Sequence, residues 1–327
     1  MKFSKKSILI IISIVSFILI FILAIIFGYN FIAKIILNDK PKSNTPNVPH
    51  LDTSNIEVVC NSTNPVIPVG FHKVETDTAS WEIAEDGTIK GWNDGLVIED
   101  DMGNQFVWIP YDSNTKGYKT TKEQIYKYSG FYISRYEAGL PDELSYLKNN
   151  ISEKTNNIKG VPVSKKGAIV WNYIGVNNAY YNAQNMYPEN PYFSTEMLDT
   201  ESEMRVSSFI TIKDYNTDVY NIERKKFYFS GYYSLDNGKN YEYVENMEKN
   251  GQMLLSAGAS DECKKKNIYD FYGNLADTHI TSISKYGYKY AVSRGDSYRM
   301  NNEDYYKDTG FYHPRDYQGF RIALYMK

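Results

Sequence analysis

The side chains best suited to nucleophilic, redox or metal chemistry are few and far apart. The 327-residue chain holds two cysteines, Cys60 and Cys263, and four histidines, His50, His72, His279 and His313. A serine or cysteine nucleophile needs a base beside it, and no such pair stands out. Two cysteines exclude a disulfide-stapled mini-protein, an iron–sulfur protein and a zinc ribbon. Glu99-Asp100-Asp101 has the residue types for paired-carboxylate chemistry, yet its place between two apolar runs reads as a solvated turn. There is no Walker-type phosphate loop, no G-x-G-x-x-G after a strand, no H-E-x-x-H and no G-x-S-x-G.

Tyrosine is the abundant functional group, with 31 copies. Between Tyr298 and Tyr317 it is interleaved with Asn and Arg: Tyr298, Arg299, Asn301, Asn302, Tyr305, Tyr306, Tyr312 and Arg315. Tyrosine offers a large apolar face and one hydroxyl at low entropy cost, and asparagine adds adaptable hydrogen bonds. These eight residues form a candidate ligand-binding face for a protein or a glycan; core filling is the competing use of the same rings. A Cys60–Cys263 disulfide would close a loop of about 200 residues, worth roughly 5 kcal/mol in the chain-entropy model. Two separate thiols are the other reading, because sequence does not fix the approach of the two Cα atoms.

The elements that must carry these residues begin with an apolar run. Ser7 to Ala33 carries no charge. About 20 such residues in a helix cross a hydrocarbon core of about 30 Å. The sequence therefore predicts a cytoplasmic tail over 1–6, a single transmembrane anchor over 7–37, a Pro/Asn/Ser/Thr stalk over 38–60 and an extracytoplasmic domain over 61–327. The formal net charge is −3, but residues 1–42 hold six lysines and one aspartate, which leaves −8 for the remainder. An acidic ectodomain is not a nucleic-acid binder; the expected partners are the membrane and an unidentified surface protein or glycan.

Within 61–327 the patterning predicts an α+β domain. Trp81–Ile83 and Thr88–Lys90 flank Asp86-Gly87, a tight-turn signal. Leu96–Glu99 and Gln105–Ile109 read as a second hairpin, and Phe131–Tyr136 as an aromatic strand. Apolar spacing predicts helices over Ala168–Met186 and Ser194–Ile210, and Gly319–Tyr325 reads as a buried strand.

Four ordered segments resemble the formylglycine-generating enzyme (sulfatase-modifying-factor) family. They are Phe106-Val107-Trp108-Ile109-Pro110; Gly130-Phe131-Tyr132-Ile133-Ser134-Arg135-Tyr136-Glu137; Asn267-Ile268-Tyr269-Asp270-Phe271-Tyr272-Gly273-Asn274-Leu275-Ala276-Asp277; and Arg294-Gly295-Asp296-Ser297-Tyr298 with the closing Gly319-Phe320-Arg321-Ile322-Ala323-Leu324. The resemblance covers about Phe106 to Lys327 and implies a C-type-lectin-like α+β fold with long loops. It also implies a structural calcium ion held by the Asp270 and Asp277 side chains and the Gly273 and Leu275 carbonyls, an oxygen set of the kind calcium takes; the competing reading of the same residues is a metal-free turn, in which Asp270 and Asp277 cap backbone N–H groups and Gly273-Asn274 makes the bend. Asp277 stands where the family usually has Glu. Active members carry two cysteines shortly after the Arg-Gly turn; here those positions fall near Met300 and Tyr305. The resemblance thus implies a non-catalytic member with no copper or iron. A diverged metal-dependent oxidoreductase, or a structural part of a bacterial envelope assembly, is the alternative.

Overall fold

The structure is a computed structural model that describes residues 61–111, 120–141, 159–211, 226–285, 289–294, 297–298, 306–307 and 314–327. The expected tail, anchor and stalk lie outside the described residues. Among the described residues no helix is long and apolar enough to cross a membrane. Residues Glu57–Lys327 belong to one compact unit, mixed α+β and dominated by strands.

In chain order the strands are β1 (Phe71–Val74), β2 (Val97–Asp100), β3 (Gln105–Pro110), β4 (Gly130–Ser134), β5 (Phe193–Met197), β6 (Tyr228–Ser234), β7 (Glu242–Glu248), β8 (Leu254–Leu255), β9 (Lys264–Lys265), β10 (Ile268–Tyr269), β11 (Ala276–Ile283), β12 (Lys289–Arg294), β13 (Tyr306–Lys307), β14 (Gln318–Phe320) and β15 (Ile322–Met326). The helices are α1 (Glu123–Tyr128), α2 (Val176–Gln184) and α3 (Thr200–Thr211).

A six-stranded antiparallel sheet runs β1-β2-β3-β4-β15-β5, so the C-terminal strand is inserted between β4 and β5. Its central strands read as continuous apolar runs because both faces are covered. Phe106, Trp108, Tyr132, Ile322 and Leu324 point to one core, shared with Trp171, Ala179 and Ala183. The alternating residues Val107, Ile109, Phe131, Ile133, Ala323 and Tyr325 point to the other, shared with Ile125, Val206 and Phe209. Period-2 alternation sorts one chain segment into two cores, and each large side chain so buried contributes about 1.5–3 kcal/mol.

A second sheet runs β13-β12-β11-β14, with β11 and β14 parallel. A third runs β7-β6-β8, and β9–β10 is a short hairpin. The two central residues of that hairpin, Lys266 and Asn267, both take positive φ (43° and 64°), the requirement of a tight two-residue turn.

The Leu96–Ile109 hairpin forms as expected, as β2 and β3. Its turn is not wholly solvated: Asp100 is buried, and its Oδ1 accepts the Met102 and Asn104 amides at 3.0 and 2.7 Å while Oδ2 accepts the Tyr187 hydroxyl at 2.6 Å. The Trp81–Lys90 segment also folds back, but through a single Ile83–Ile89 bridge rather than a ladder. Two helix expectations need correction. Only 176–184 of the first is helical; upstream, Tyr173 has φ 53° and Asn172 Nδ2 donates to the Asp316 and Asn237 carbonyls at 2.7 and 3.3 Å. The second begins as β5, where Phe193, Thr195 and Met197 alternate inward, and turns helical only after Asp199, whose Oδ1 accepts the Ser202 amide at 2.8 Å. The terminal strand divides into β14 and β15 on either side of Arg321.

Candidate functional site

The loop from Asn267 to Asp277 is buried along its length and pinned from several directions. Asn267 Nδ2 donates to Thr76 Oγ1 and the Gly95 carbonyl, both at 2.9 Å. Its own carbonyl accepts Arg135 Nε at 3.1 Å. Asp270, at φ 55°, accepts the Gly258 amide on Oδ2 at 2.8 Å. Asn274, at φ 63°, behaves like a strand partner for Leu255: its Oδ1 accepts the Leu255 amide at 2.9 Å and its Nδ2 donates to the Leu255 carbonyl at 3.0 Å.

Glu137 lies beneath this loop, fully buried. One oxygen accepts Asn274 Nδ2 at 2.7 Å and the other accepts the Leu275 amide at 2.9 Å. Burial, reinforced by the nearby Asp270 charge, holds the Glu137 carboxyl well above the usual range. Asp277 closes the loop. Its Oδ2 accepts Arg321 Nε at 2.6 Å, and neither side chain is more than 2% exposed. Arg321 Nη2 donates onward to the Tyr269 carbonyl at 2.5 Å, and its guanidinium sits 5.5 Å from the Phe271 ring centroid. Burial pushes Asp277 up to about 6, against the pull of Arg321. Tyr298 joins from the other side, donating its amide to the Asn274 carbonyl at 2.9 Å.

The four ordered sequence segments therefore meet in one place. β3 pairs β4, β4 pairs β15, the Glu137 end of the second segment carries the third, and Arg321 of the closing segment neutralises Asp277. In β11–β12 register, Arg294 stands opposite Asp277.

The two carboxylates of the expected calcium set already have other partners on one oxygen each. Asp277 Oδ2 is taken by a guanidinium and Asp270 Oδ2 by a backbone amide. Asp277 Oδ1 and Arg321 Nη1 are buried without a hydrogen-bond partner among the described residues, one offering an acceptor and the other a donor. Among the described residues, no group of three or more His, Cys, Asp and Glu side chains is placed to hold a metal.

Of the candidate ligand-binding residues, Tyr298 is buried rather than presented: its hydroxyl is taken up by Asp316 Oδ2 at 2.5 Å and Asn237 Oδ1 at 3.2 Å. Arg315 is exposed. The Tyr306 backbone pairs with Arg294 at the edge of the second sheet. Arg299, Asn301, Asn302, Tyr305 and Tyr312 lie outside the described residues, as do Met300 and Cys60. Cys263 is buried at the end of a single 3₁₀ turn.

Sequence reading assigned no role to Glu137 or Arg321 and read Asn274 only as a turn residue. The signal was present: each is polar within a run of aromatic or apolar residues, and a polar group buried in such a run has to be paired. No protein-family model, curated protein or solved structure matches the chain.

Proposed function

We propose that this chain is a non-catalytic, membrane-anchored ligand-binding protein. Its extracytoplasmic 61–327 domain has a C-type-lectin-like fold of the formylglycine-generating-enzyme type and uses residues of the 298–315 segment to bind a surface protein or glycan. The observation that carries the reading is the convergence of three of the resembling segments on Glu137, Asn274, Asp277 and Arg321, with the first segment paired to the second as β3 to β4. These side chains bond one another and the backbone, the role of a scaffold that holds loops. Tyr298 is held by Asp316, and Arg315 next to Asp316 is exposed. The residue types between them offer aromatic stacking and amide hydrogen bonds.

The test is to display the full chain in detergent micelles against arrays of cell-wall glycans and surface proteins, with metal analysis of the same preparation. Saturable binding that is lost when Asn301, Asn302 and Tyr305 are replaced by alanine supports the reading. Stoichiometric copper or iron, with no array binding, moves it to the diverged oxidoreductase.

A further inference from the structure

The chain contains two Asn-Gly dipeptides, Asn237-Gly238 and Asn250-Gly251, and the fold treats them oppositely. In such a pair the glycine backbone nitrogen can reach the asparagine side-chain amide carbon, because no Cβ shields it. The attack needs a glycine N–H that no acceptor holds, an asparagine side chain free to turn toward the backbone, and access for water.

Asn237-Gly238, between β6 and β7, meets none of these needs. Gly238 is buried, and its amide donates to Ser234 Oγ at 2.8 Å. Asn237 Oδ1 accepts the Tyr298 hydroxyl at 3.2 Å, and the Asn237 carbonyl accepts Asn172 Nδ2 at 3.3 Å. Side chain and backbone are both held, so reaction here requires a local opening of the fold.

Asn250-Gly251, between β7 and β8, meets all of them. Lys249 and Met253 are buried and fix the ends of the connection, while Asn250, Gly251 and Gln252 are exposed. The last backbone bond before the turn is from the Lys249 amide to the Phe227 carbonyl, at 2.8 Å. Among the described residues nothing accepts a hydrogen bond from the Gly251 amide, and the Asn250 side chain has no partner. Gly251 has φ +74°, and apart from its chain neighbours no atom lies within 4 Å of the place a Cβ would take.

We propose that Asn250 is a site of spontaneous deamidation and that the fold protects Asn237 from the same reaction. The Gly251 nitrogen gives up its proton and bonds to Asn250 Cγ, and the side-chain nitrogen leaves as ammonia. Water then opens the resulting succinimide at either carbonyl, giving aspartate or isoaspartate. The product adds one negative charge two positions from Glu248, which pairs with Lys226 at 3.2 Å. The isoaspartate form also adds a methylene to the main chain between the buried Lys249 and Met253.

The experiment incubates the full chain in detergent micelles at mildly alkaline pH. Both asparagines are then followed by peptide mass mapping, with digestion at mildly acidic pH. Asn250 is expected to convert at least about tenfold faster than Asn237, because the second site must open first. In urea the two rates are expected to converge. Gly251→Ala is expected to slow Asn250 by at least about tenfold. Ser234→Ala, checked for fold by circular dichroism, releases the Gly238 amide and is expected to speed Asn237 several-fold. Equal rates in the folded chain, or an Asn250 that stays intact while the unfolded chain converts, overturn the proposal. A product free of isoaspartate also overturns it, because direct hydrolysis of the side-chain amide gives aspartate alone.

Discussion

Arg321 Nε lies 2.6 Å from Asp277 Oδ2, and the pair is shut away from water at the junction of the first and second sheets. Arg321 separates β14, which pairs with β11 of the second sheet, from β15, which pairs with β4 and β5 of the first. One ion pair therefore ties both sheets to the Asn267–Asp277 loop.

Removing one member of this pair strands the other. Arg321→Met is expected to cost about 3–5 kcal/mol, because the buried carboxylate loses its counter-charge. Asp277→Leu combined with Arg321→Met is expected to recover much of that loss, since two apolar side chains need no partner. Urea unfolding of the three proteins checks it. An Arg321→Met variant as stable as the parent sinks the argument.

The same pair gives stability a defined pH dependence. Asp277 is held up to about 6 in the folded chain, against about 3.9 when unfolded. The folded state keeps its proton more tightly, so this group's contribution is greatest below about pH 4 and falls as pH rises toward about 6. Glu137, also raised, acts with the same sign. Exposed carboxylates such as Asp77, lowered by its hydrogen bond from Lys264, act oppositely. A difference profile isolates the pair: melting temperature of the parent minus that of the Asp277→Leu/Arg321→Met variant, followed from pH 4 to 7, is expected to fall with rising pH. A flat or rising difference contradicts the assignment.

Local pattern made part of this fold readable and left the rest hidden. The β2–β3 hairpin was legible because alternation, turn residues and pairing all lie within one short stretch. The helix expected from Ala168 failed because Trp171 and Ile174 sit at helical spacing yet are buried by an irregular chain held open through the Asn172 bonds to Asp316 and Asn237. β5 was read as helix because three inward residues at period 2 do not outweigh the helical pattern that follows. At the site, the segments were legible as a set but their mutual bonds were not. Glu137 and Asn274 are 137 residues apart, and no local property of either announces the other. The Asp277–Arg321 pair shows the same limit, since Arg321 lies 44 positions from the carboxylate it occupies.

A half-buried cation makes an independent prediction. Burial alone would lower the Lys122 ammonium, but Tyr325, Asp199 and Glu196 outweigh it and leave the group raised. Its Nζ lies 2.7 Å from Asp199, 3.2 Å from Glu196 and 3.9 Å from the Tyr325 ring centroid. It thereby joins the start of α1 to β5, the turn before α3, and β15. Lys122→Met keeps the stem and deletes the charge, and is expected to cost about 1.5–3 kcal/mol. A thermal shift no larger than that of a surface Lys→Met control, such as Lys239→Met, removes the claim.

Gly95 faces a harder constraint. Its φ is +86°, and a Cβ placed there would meet the Lys266 carbonyl oxygen at 1.9 Å. That approach lets the Gly95 carbonyl accept Asn267 Nδ2 and so seats the β9–β10 hairpin. Gly95→Ala combines strain with a backbone clash and is expected to cost on the order of 3 kcal/mol or more. Gly87, also at positive φ (+82°) but with open space around its Cβ position, is the control, expected to lose about 1 kcal/mol. Equal losses at the two sites would falsify the clash and leave only the dihedral cost.

At the Asn267–Asp277 loop the Arg321 charge opposes calcium. An ion bonded to Asp277 would lie within roughly 5 Å of the Arg321 guanidinium, and a divalent and a monovalent cation at that distance repel by about 7 kcal/mol at an effective dielectric constant near 20. Relief requires Arg321 to leave, yet its Nη2 is also bonded to the Tyr269 carbonyl. Calorimetric titration of the full chain with millimolar calcium is therefore expected to give no stoichiometric heat and no rise in melting temperature. Arg321→Met frees Asp277, so any calcium affinity the loop's oxygens can supply should emerge in that variant first. Stoichiometric binding by the parent protein would mean that Arg321 yields to the ion, and would return the loop to the role of a metal site.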